Sequence, residues 1–420
     1  MPTASAGKGS TDSGQVFRYF GSLTLLIYLL MPYAPLVDFT TSYMLKNQLH
    51  ESAARISSFR LITAIPVYLS VAFGLTRDLW NPLGRKDRGF FLIFAPVTAV
   101  LLFWMAFSRL SYTGLLTGLL LVMFSFRFVA AAHQGLIALV SQEQLMSGRL
   151  SALWNIFLYL PYVAAAFASG YVTENLTPAR TFLLLAAIGL LIGLAGLWKP
   201  RSVFSHAYDR PQAQGADFWG NVKRLMKHRA VYPAVLINFM WNFSPGTSTP
   251  LQFYLTKLHA SDAVYGYYNG IFFASSIPMF LAYGVLCKRV SLEKLLWWGT
   301  VIAIPQYILL PFAHSANLVM WLAIPSGLMG GVATAAYIDL AMRSCPSGLQ
   351  GTLMMIVDGV LQLSLRGGDV LGSWIYSSSP THGFLYCAMA TTTVYALILP
   401  LLLLIPKNLI AAADGEAYSS

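Results

Sequence analysis

No charged side chain interrupts the stretch Thr181-Phe-Leu-Leu-Leu-Ala-Ala-Ile-Gly-Leu-Leu-Ile-Gly-Leu-Ala-Gly-Leu-Trp198. An apolar helix of about 20 residues crosses the roughly 30 Å of hydrocarbon in a bilayer, so this stretch predicts a membrane-spanning helix. The whole chain has a similar character, because 56% of its 420 residues are hydrophobic and only 10% are charged. A soluble protein carries about 25% charged residues, so a water-soluble fold is excluded.

Eleven further apolar segments of similar length bring the predicted membrane-spanning helices to twelve. We number them spans 1 to 12, at 19–45, 56–77, 89–108, 112–138, 149–172, 179–198, 230–257, 263–286, 291–312, 317–341, 350–375 and 382–405. Backbone groups in lipid must be paired internally, and these segments lack the alternation of a membrane barrel. The predicted fold is therefore all-α.

The distribution of Lys and Arg predicts the orientation, because cytoplasmic loops carry the excess of these residues. With the N-terminus inside, 19 of the 27 fall on inner segments and five on outer segments. Both termini are therefore predicted to be cytoplasmic, in an integral multi-pass protein of the plasma (inner) membrane. The net charge of +11 lies in these short clusters and does not indicate a nucleic-acid partner.

The spans divide into two predicted bundles of six helices. The predicted parts are a disordered cytoplasmic tail (1–18), the first bundle (19–198), a cytoplasmic interdomain loop with an amphipathic helix near 218–227 (199–229), the second bundle (230–405) and a cytoplasmic tail (406–420). The sequences of the two bundles are weakly similar at an offset of 210 residues, which aligns Pro35 with Pro245 and 71–75 with 281–285. Weak repeats of this kind are typical of transporter halves.

The loop between spans 2 and 3 reads Gly74-Leu-Thr-Arg77-Asp78-Leu-Trp-Asn-Pro82-Leu-Gly84-Arg85-Lys86-Asp87-Arg88. Gly74 allows two helices to approach closely, and Asp78 ends a helix. The turn at Arg85 and Lys86 places cations where they can meet that carboxylate or a neighbouring helix end. We predict that Gly74, Asp78, Arg85 and Lys86 form an inner gate. The alternative is a positively charged inner loop with a capping Asp.

This loop resembles the G-x-x-x-D-x-x-G-R-[KR] loop of the major facilitator superfamily, with a longer interval after Asp78. Within that superfamily, four segments are similar to the folate-biopterin transporter family: the loop itself, Asn242-Phe-Ser-Pro-Gly-Thr-Ser-Thr-Pro-Leu-Gln-Phe-Tyr-Leu255, Tyr265-Gly-Tyr-Tyr-Asn-Gly270 and Cys345-Pro-Ser-Gly-Leu-Gln-Gly-Thr352. The resemblance implies two six-helix bundles that rock about a central site. Spans 1, 4, 7 and 10 would line that site.

Ionisable residues inside the membrane are costly and indicate function. Arg127 lies about 22 Å into span 4, and Asp358 about 13 Å into span 11, so both are near the middle. We predict that Arg127 binds an anionic substrate and that Asp358 or Asp38 carries the coupling proton. For Arg127 and Asp358 the alternative is a structural buried pair.

Other charged residues are assigned structural roles. Asp339 and Arg343 stand four apart, and Arg366 and Asp369 three apart, so we predict that each pair neutralises itself. Arg60 can extend to the outer surface instead of serving a site.

The remaining predicted substrate contacts are Tyr33, Trp241 and Tyr268, which can stack on a flat heterocycle, with Asn242 and Gln134. At 14% aromatic content, packing is the competing role for each ring.

No nucleotide-binding P-loop, H-E-x-x-H or G-x-S-x-G motif is present, and the three cysteines show no C-x-x-C spacing. We therefore predict no catalytic residue, cofactor or metal. The leading hypothesis is a monomeric, proton-coupled symporter of a folate-like or pterin-like solute that also contacts membrane lipids. The alternatives are an exporter or importer of another small organic anion or drug, and a receptor or scaffold without transport. A lipid-modifying membrane enzyme is disfavoured.

Overall fold

The computed structural model describes residues 13–32, 35–175, 177–204 and 218–417. Over these ranges the chain is helical and contains no strand, as predicted. The α-helices are α1 (Ser13–Leu30), α2 (Pro35–Tyr43), α3 (Ala53–Thr63), α4 (Ile65–Tyr68), α5 (Ser70–Leu79), α6 (Asp87–Phe107), α7 (Tyr112–Glu143), α8 (Ser147–Asn175), α9 (Pro178–Ala195), α10 (Phe218–Lys227), α11 (Val231–Asn242), α12 (Ser248–Lys257), α13 (Asp262–Leu286), α14 (Leu292–Ala303), α15 (Ala316–Arg343), α16 (Gln350–Ser377), α17 (Gly383–Ala396), α18 (Ile398–Leu402) and α19 (Lys407–Ile410).

Each predicted span corresponds to one or more of these helices. Span 1 comprises α1 and α2, span 2 comprises α3 to α5, span 7 comprises α11 and α12, and span 12 comprises α17 and α18. Among the described residues, eight helical segments are long and apolar enough to cross a membrane. Spans 1, 7, 9 and 11 fall outside that set. The first three are interrupted, and span 11 carries Asp358, Arg366 and Asp369.

Two regions differ from the sequence prediction. The first helix starts at Ser13 rather than residue 19, because Val16, Tyr19 and Phe20 are buried in the core. The C-terminal tail is partly helical and docked, with Leu409 and Ile410 buried. The amphipathic stretch of the interdomain loop is helical, as predicted. Residues 1–12 and 205–217 lie outside the described part.

The internal repeat is visible in the helix breaks and in the packing. Spans 1 and 7 break at equivalent places, where α1 ends at Leu30 and α11 ends at Asn242. Between the bundles, α5 of span 2 packs on α16 of span 11, and α13 of span 8 packs on α8 of span 5. Equivalent glycines lie at these contacts: an added Cβ on Gly74 would meet Gly351, and one on Gly284 would meet Ala152.

The apolar core consists of two large clusters, which follow the two bundles. The first cluster also includes residues of the second bundle, from Ala341 at the end of α15 to Val357 in α16. These residues lie toward the predicted cytoplasmic end, which we call the inner end. The bundles therefore share a continuous apolar contact there.

Substitution of Gly372 in span 11 tests how closely this span packs against the break in span 7. An added Cβ on Gly372 would lie 2.0 Å from the carbonyl oxygen of Pro245, whereas Gly266 in α13 has nothing within 4 Å. Overpacking typically costs about 1–3 kcal/mol, so we expect Gly372→Ala to lower the midpoint of thermal unfolding in detergent. Gly266→Ala is the matched control and should be neutral or stabilising. Equal stability of the two variants would contradict this packing.

Candidate functional site

At the inner end, Asp78 joins the two bundles. Its carboxylate accepts hydrogen bonds from the backbone N–H of Gly351 (3.1 Å) and Thr352 (2.7 Å) and from the Thr352 hydroxyl (2.6 Å). These donors lie in the first turn of α16, where N–H groups have no partner within the helix and the helix dipole is positive. The contact requires Gly74, because an added Cβ there would lie 2.6 Å from the Gly351 carbonyl oxygen.

The cation beside Asp78 is Arg77, which is not among the predicted gate residues. Arg77 donates to Asp78 at 2.7 Å and to the two oxygens of Asp87 at 2.5 and 2.7 Å. Arg85, by contrast, is exposed, and the backbone N–H of Lys86 donates to the Asn81 side chain.

The turn that starts at Pro82 brings Asp87 back to Arg77. Leu83, Gly84 and Lys86 have positive φ values of 57°, 63° and 47°, which reverse the chain within a few residues. The proximity of Arg77 and Asp87 therefore depends on turn geometry that spacing alone does not reveal.

Side-chain amides add to the closure of the inner end. Gln142, at the end of α7, donates to the carbonyl oxygens of Met342 (2.9 Å) and Cys345 (2.8 Å). Gln350 in turn donates to the Gln142 side-chain oxygen at 3.0 Å. Each of these bonds crosses from one bundle to the other, so the structure is closed at this end.

Farther into the membrane, Arg127 and Asp358 form an ion pair across the bundles. Arg127 is fully buried, while 16% of the Asp358 side chain is exposed. The Arg127 guanidinium also donates to the Ser70 hydroxyl at 2.5 Å, so spans 2, 4 and 11 meet at this point. The two charged residues predicted near the middle of the membrane are thus direct partners.

A cavity of about 290 Å³ lies on the outer side of this pair. Its lining includes Met123 and Gln362, each four residues toward the outer end from Arg127 and Asp358. Asp38, Arg60 and Arg366 also line it, which gives two cationic side chains and one anionic side chain. Within the described part of the chain, Asp38 pairs with Arg60 at 3.3 Å, and about half of each side chain is exposed.

The predicted pairing of Arg366 with Asp369 is wrong. Asp369 accepts instead from the backbone N–H of Thr249 (2.9 Å) and its hydroxyl (3.1 Å), at the start of α12. The break in span 7 creates this helix N-terminus, whose N–H groups compete for the carboxylate. Arg366 consequently extends into the outer cavity.

The second predicted pair is present. Asp339 and Arg343 form an ion pair at 2.9 Å that is almost completely buried. Arg343 also donates to the Ser147 hydroxyl (3.0 Å) across the bundle interface, and Asp339 accepts from the Tyr283 hydroxyl (2.8 Å). This pair therefore belongs to the inner end, where it connects α15 with α8 and α13.

The predicted aromatic and amide contacts lie apart from the outer cavity. Trp241 stacks on Tyr395 at 4.6 Å, Tyr268 is buried against Phe272, and Asn242 donates to the Asn238 carbonyl oxygen at 2.8 Å.

Gln134 is buried in α7, and its side-chain oxygen has no hydrogen-bond partner among the described residues. Tyr33 lies outside the described residues. Substrate roles for these side chains remain predictions. No group of three or more His, Cys, Asp or Glu side chains suited to a metal occurs in the ranges that the structure describes.

Comparisons with known proteins agree with this architecture. The family profile of the Major Facilitator Superfamily matches residues 15–365. A folate-biopterin transporter of Synechocystis sp. is 22% identical over 415 residues, which cover 91% of this chain and 81% of that protein. The transporter FucP in its outward conformation superposes with a TM-score of 0.68 at 17% identity, over 93% of this chain and 98% of FucP. The proton:xylose symporter XylE gives a TM-score of 0.68 at 10% identity, over 96% and 98% of the two chains.

The Arg127–Asp358 pair can be tested by a double-mutant cycle. Removing one partner of a buried ion pair costs about 3–5 kcal/mol, because the other charge stays buried, while an apolar replacement of both is often neutral. We expect Asp358→Leu to unfold at a clearly lower temperature than the parent, and Arg127→Met/Asp358→Leu to recover most of the loss.

The half-exposed pair of Arg60 and Asp38 is the control, since Asp38→Asn should cost less than about 1 kcal/mol. Additive losses at Arg127 and Asp358 would show that the two charges do not stabilise each other.

Proposed function

The chain belongs to the Major Facilitator Superfamily, and from this premise we propose that it is a secondary active transporter of a small organic anion. It is an integral multi-pass membrane protein, and alternating access is the mechanism that the proposal adopts. The observation that carries the proposal is the buried Arg127–Asp358 pair, which links the two bundles beneath a cavity open to the outer side.

The charge balance of this pair supports proton coupling. A substrate carboxylate can take the place of Asp358 beside Arg127 only if the charge of Asp358 is removed, because an extra buried charge is strongly unfavourable. One proton on Asp358 and one carboxylate on Arg127 together leave the net charge unchanged. In this proposal the anion and the proton therefore enter together, and the direct bond between the bundles is lost as they bind.

Asp358 suits the coupling role better than Asp38. Asp38 is about half exposed and already paired with the equally exposed Arg60, so its protonation changes little at the bundle interface. Asp358 contacts the opposite bundle directly, and its protonation removes a cross-bundle ion pair. We assign Asp38 and Arg60 to the entrance of the cavity instead.

Folate-like and pterin-like solutes are the substrate class that we propose, on the basis of the Synechocystis relative and the cationic cavity. Folates carry carboxylates, which Arg366 and then Arg127 can bind. They also carry a flat ring, on which Trp241 or Tyr268 can stack after these side chains have rearranged. The proposal includes a monomer in the plasma membrane. Another small organic anion or drug is the alternative substrate, and a receptor that binds without transport is the second class.

Uptake into proteoliposomes tests the function. We expect labelled folate or pterin to accumulate under an inward proton gradient and to stop accumulating when the gradient is collapsed. Asp358→Asn should abolish gradient-driven accumulation but keep exchange of labelled for unlabelled substrate, because the permanently neutral side chain no longer needs a proton. Asp38→Asn should retain coupling. Binding without flux in the parent would favour the receptor.

Arg366 provides a separate test of anion recognition in the outer cavity. Arg366→Gln removes a cation from the cavity without cutting an ion pair in the described structure, so we expect KM for the anionic substrate to rise about tenfold with kcat nearly unchanged. Arg109→Gln removes the same charge from an exposed outer position away from the cavity lining and is the control. An equal rise in both variants would indicate general electrostatic attraction only.

A further inference from the structure

The segment after span 12 docks on the second bundle. Arg343 of α15 donates to the carbonyl oxygens of Ala412 (2.9 Å) and Leu409 (3.4 Å). The backbone N–H of Asp414 donates to the Cys287 carbonyl oxygen at 2.8 Å, at the end of α13. Leu409 and Ile410 are buried in the core of that bundle. Residues 406–414 are therefore attached to the second bundle.

The Asp414 side chain then reaches the first bundle. It accepts from the backbone N–H of Gly148 (2.9 Å), in the first turn of α8, and from the Arg149 guanidinium (2.5 Å). The carboxylate is completely buried. Burial, with the nearby charge of Asp339, raises the pKa of Asp414 above its usual value, against the opposing effect of Arg149. These hydrogen bonds offset the cost of removing the carboxylate from water.

The arrangement repeats the Asp78 contact with the bundles exchanged. Asp78 of the first bundle binds the N-terminus of span 11, and Asp414, attached to the second bundle, binds the N-terminus of span 5. The offset of 210 aligns Asp78 with Lys288, so the second repeat has no carboxylate at that position. Asp414 supplies the carboxylate from a different part of the chain.

We propose that residues 406–414 form a second inner latch, in which Asp414 holds span 5 of the first bundle against span 8 of the second. Asp414 is a positioning residue, and the latch rests on the alternating access of the proposed function. When the inner end opens, spans 5 and 8 separate there, and both Asp414 bonds must break. The latch therefore favours the state that is closed at the inner end.

Cys345, between spans 10 and 11, provides a reporter of inner-end opening that lies away from the Asp414 contact. It is buried, its carbonyl oxygen accepts from Gln142 of the first bundle, and burial raises the pKa of its thiol well above its usual value. In a Cys287→Ala/Cys387→Ala background, reaction of Cys345 with a maleimide requires opening of the gate. Loosening of the docked tail alone leaves it covered, because its contacts involve α7 and α16.

We expect Asp414→Ala to speed Cys345 labelling about tenfold, the change in open population that corresponds to about 1.4 kcal/mol. Arg149→Gln should speed labelling less, since the Gly148 bond remains. Glu416→Gln is the matched control, because Glu416 accepts from the Ala413 N–H within the tail, contacts neither bundle among the described residues, and should leave the rate unchanged. Asp78→Ala is the positive control.

The proposal would be overturned if Cys345 in Asp414→Ala were labelled at the same rate as in the parent, while Asp78→Ala raised that rate. Faster labelling confined to Cys287 when that cysteine is retained would also overturn it, because this indicates a locally frayed tail. A well-folded sample is verified by a monodisperse elution profile. The assay needs no substrate, so a failed folate uptake alongside faster labelling would reject the substrate and keep the latch.

Discussion

Backbone N–H groups in the first turn of a helix have no acceptor within their own helix, and a protein surrounded by lipid must find one elsewhere. Three carboxylates meet this need. Asp78 binds the start of α16, Asp414 the start of α8, and Asp369 the start of α12. Asp369 acts within one bundle and fixes the break in span 7. Asp78 and Asp414 act between bundles, so the same interaction also determines how the halves are held together.

The contacts between the bundles change in kind along the membrane normal. At the inner end they are numerous and include carboxylates, the side-chain amide of Gln142 and the Arg343 guanidinium. Midway, the Arg127–Asp358 pair connects the bundles, and Ser70 of the first bundle accepts a hydrogen bond from Arg127. Toward the outer end lies the cavity with Arg366 and Asp38. This gradient accounts for a molecule that is closed on one side and accessible on the other.

The sequence predicted those features that depend on composition and on depth in the membrane. Apolar length predicted the helices, the Gly74 loop predicted a close helix contact at the inner end, and depth alone selected Arg127 and Asp358. Partner identity was harder to predict, because a nearby residue competes with distant backbone donors. The spacing of Arg366 and Asp369 suggested a pair, but the carboxylate of Asp369 accepts instead from the donors at the N-terminus of α12.

The docked tail was missed for a related reason. Its apolar signal consists of little more than Leu409 and Ile410, which is too short to distinguish a buried segment from a free one. Its attachment depends on backbone carbonyl oxygens that accept from Arg343. Every residue has such an acceptor, so the sequence does not indicate which of them are used. The partnership of Arg77 with Asp87 was hidden in the same way by the turn between them.

The group formed by Arg77, Asp78 and Asp87 holds one formal positive and two formal negative charges. In the closed state the positive end of the α16 dipole lies against this excess negative charge. In the proposed alternating access, separation of the bundles removes that dipole and leaves the excess negative charge of this group facing the predicted cytoplasm. Cations in that compartment can then neutralise it, so the ionic strength inside the cell becomes part of the equilibrium between the closed and open states.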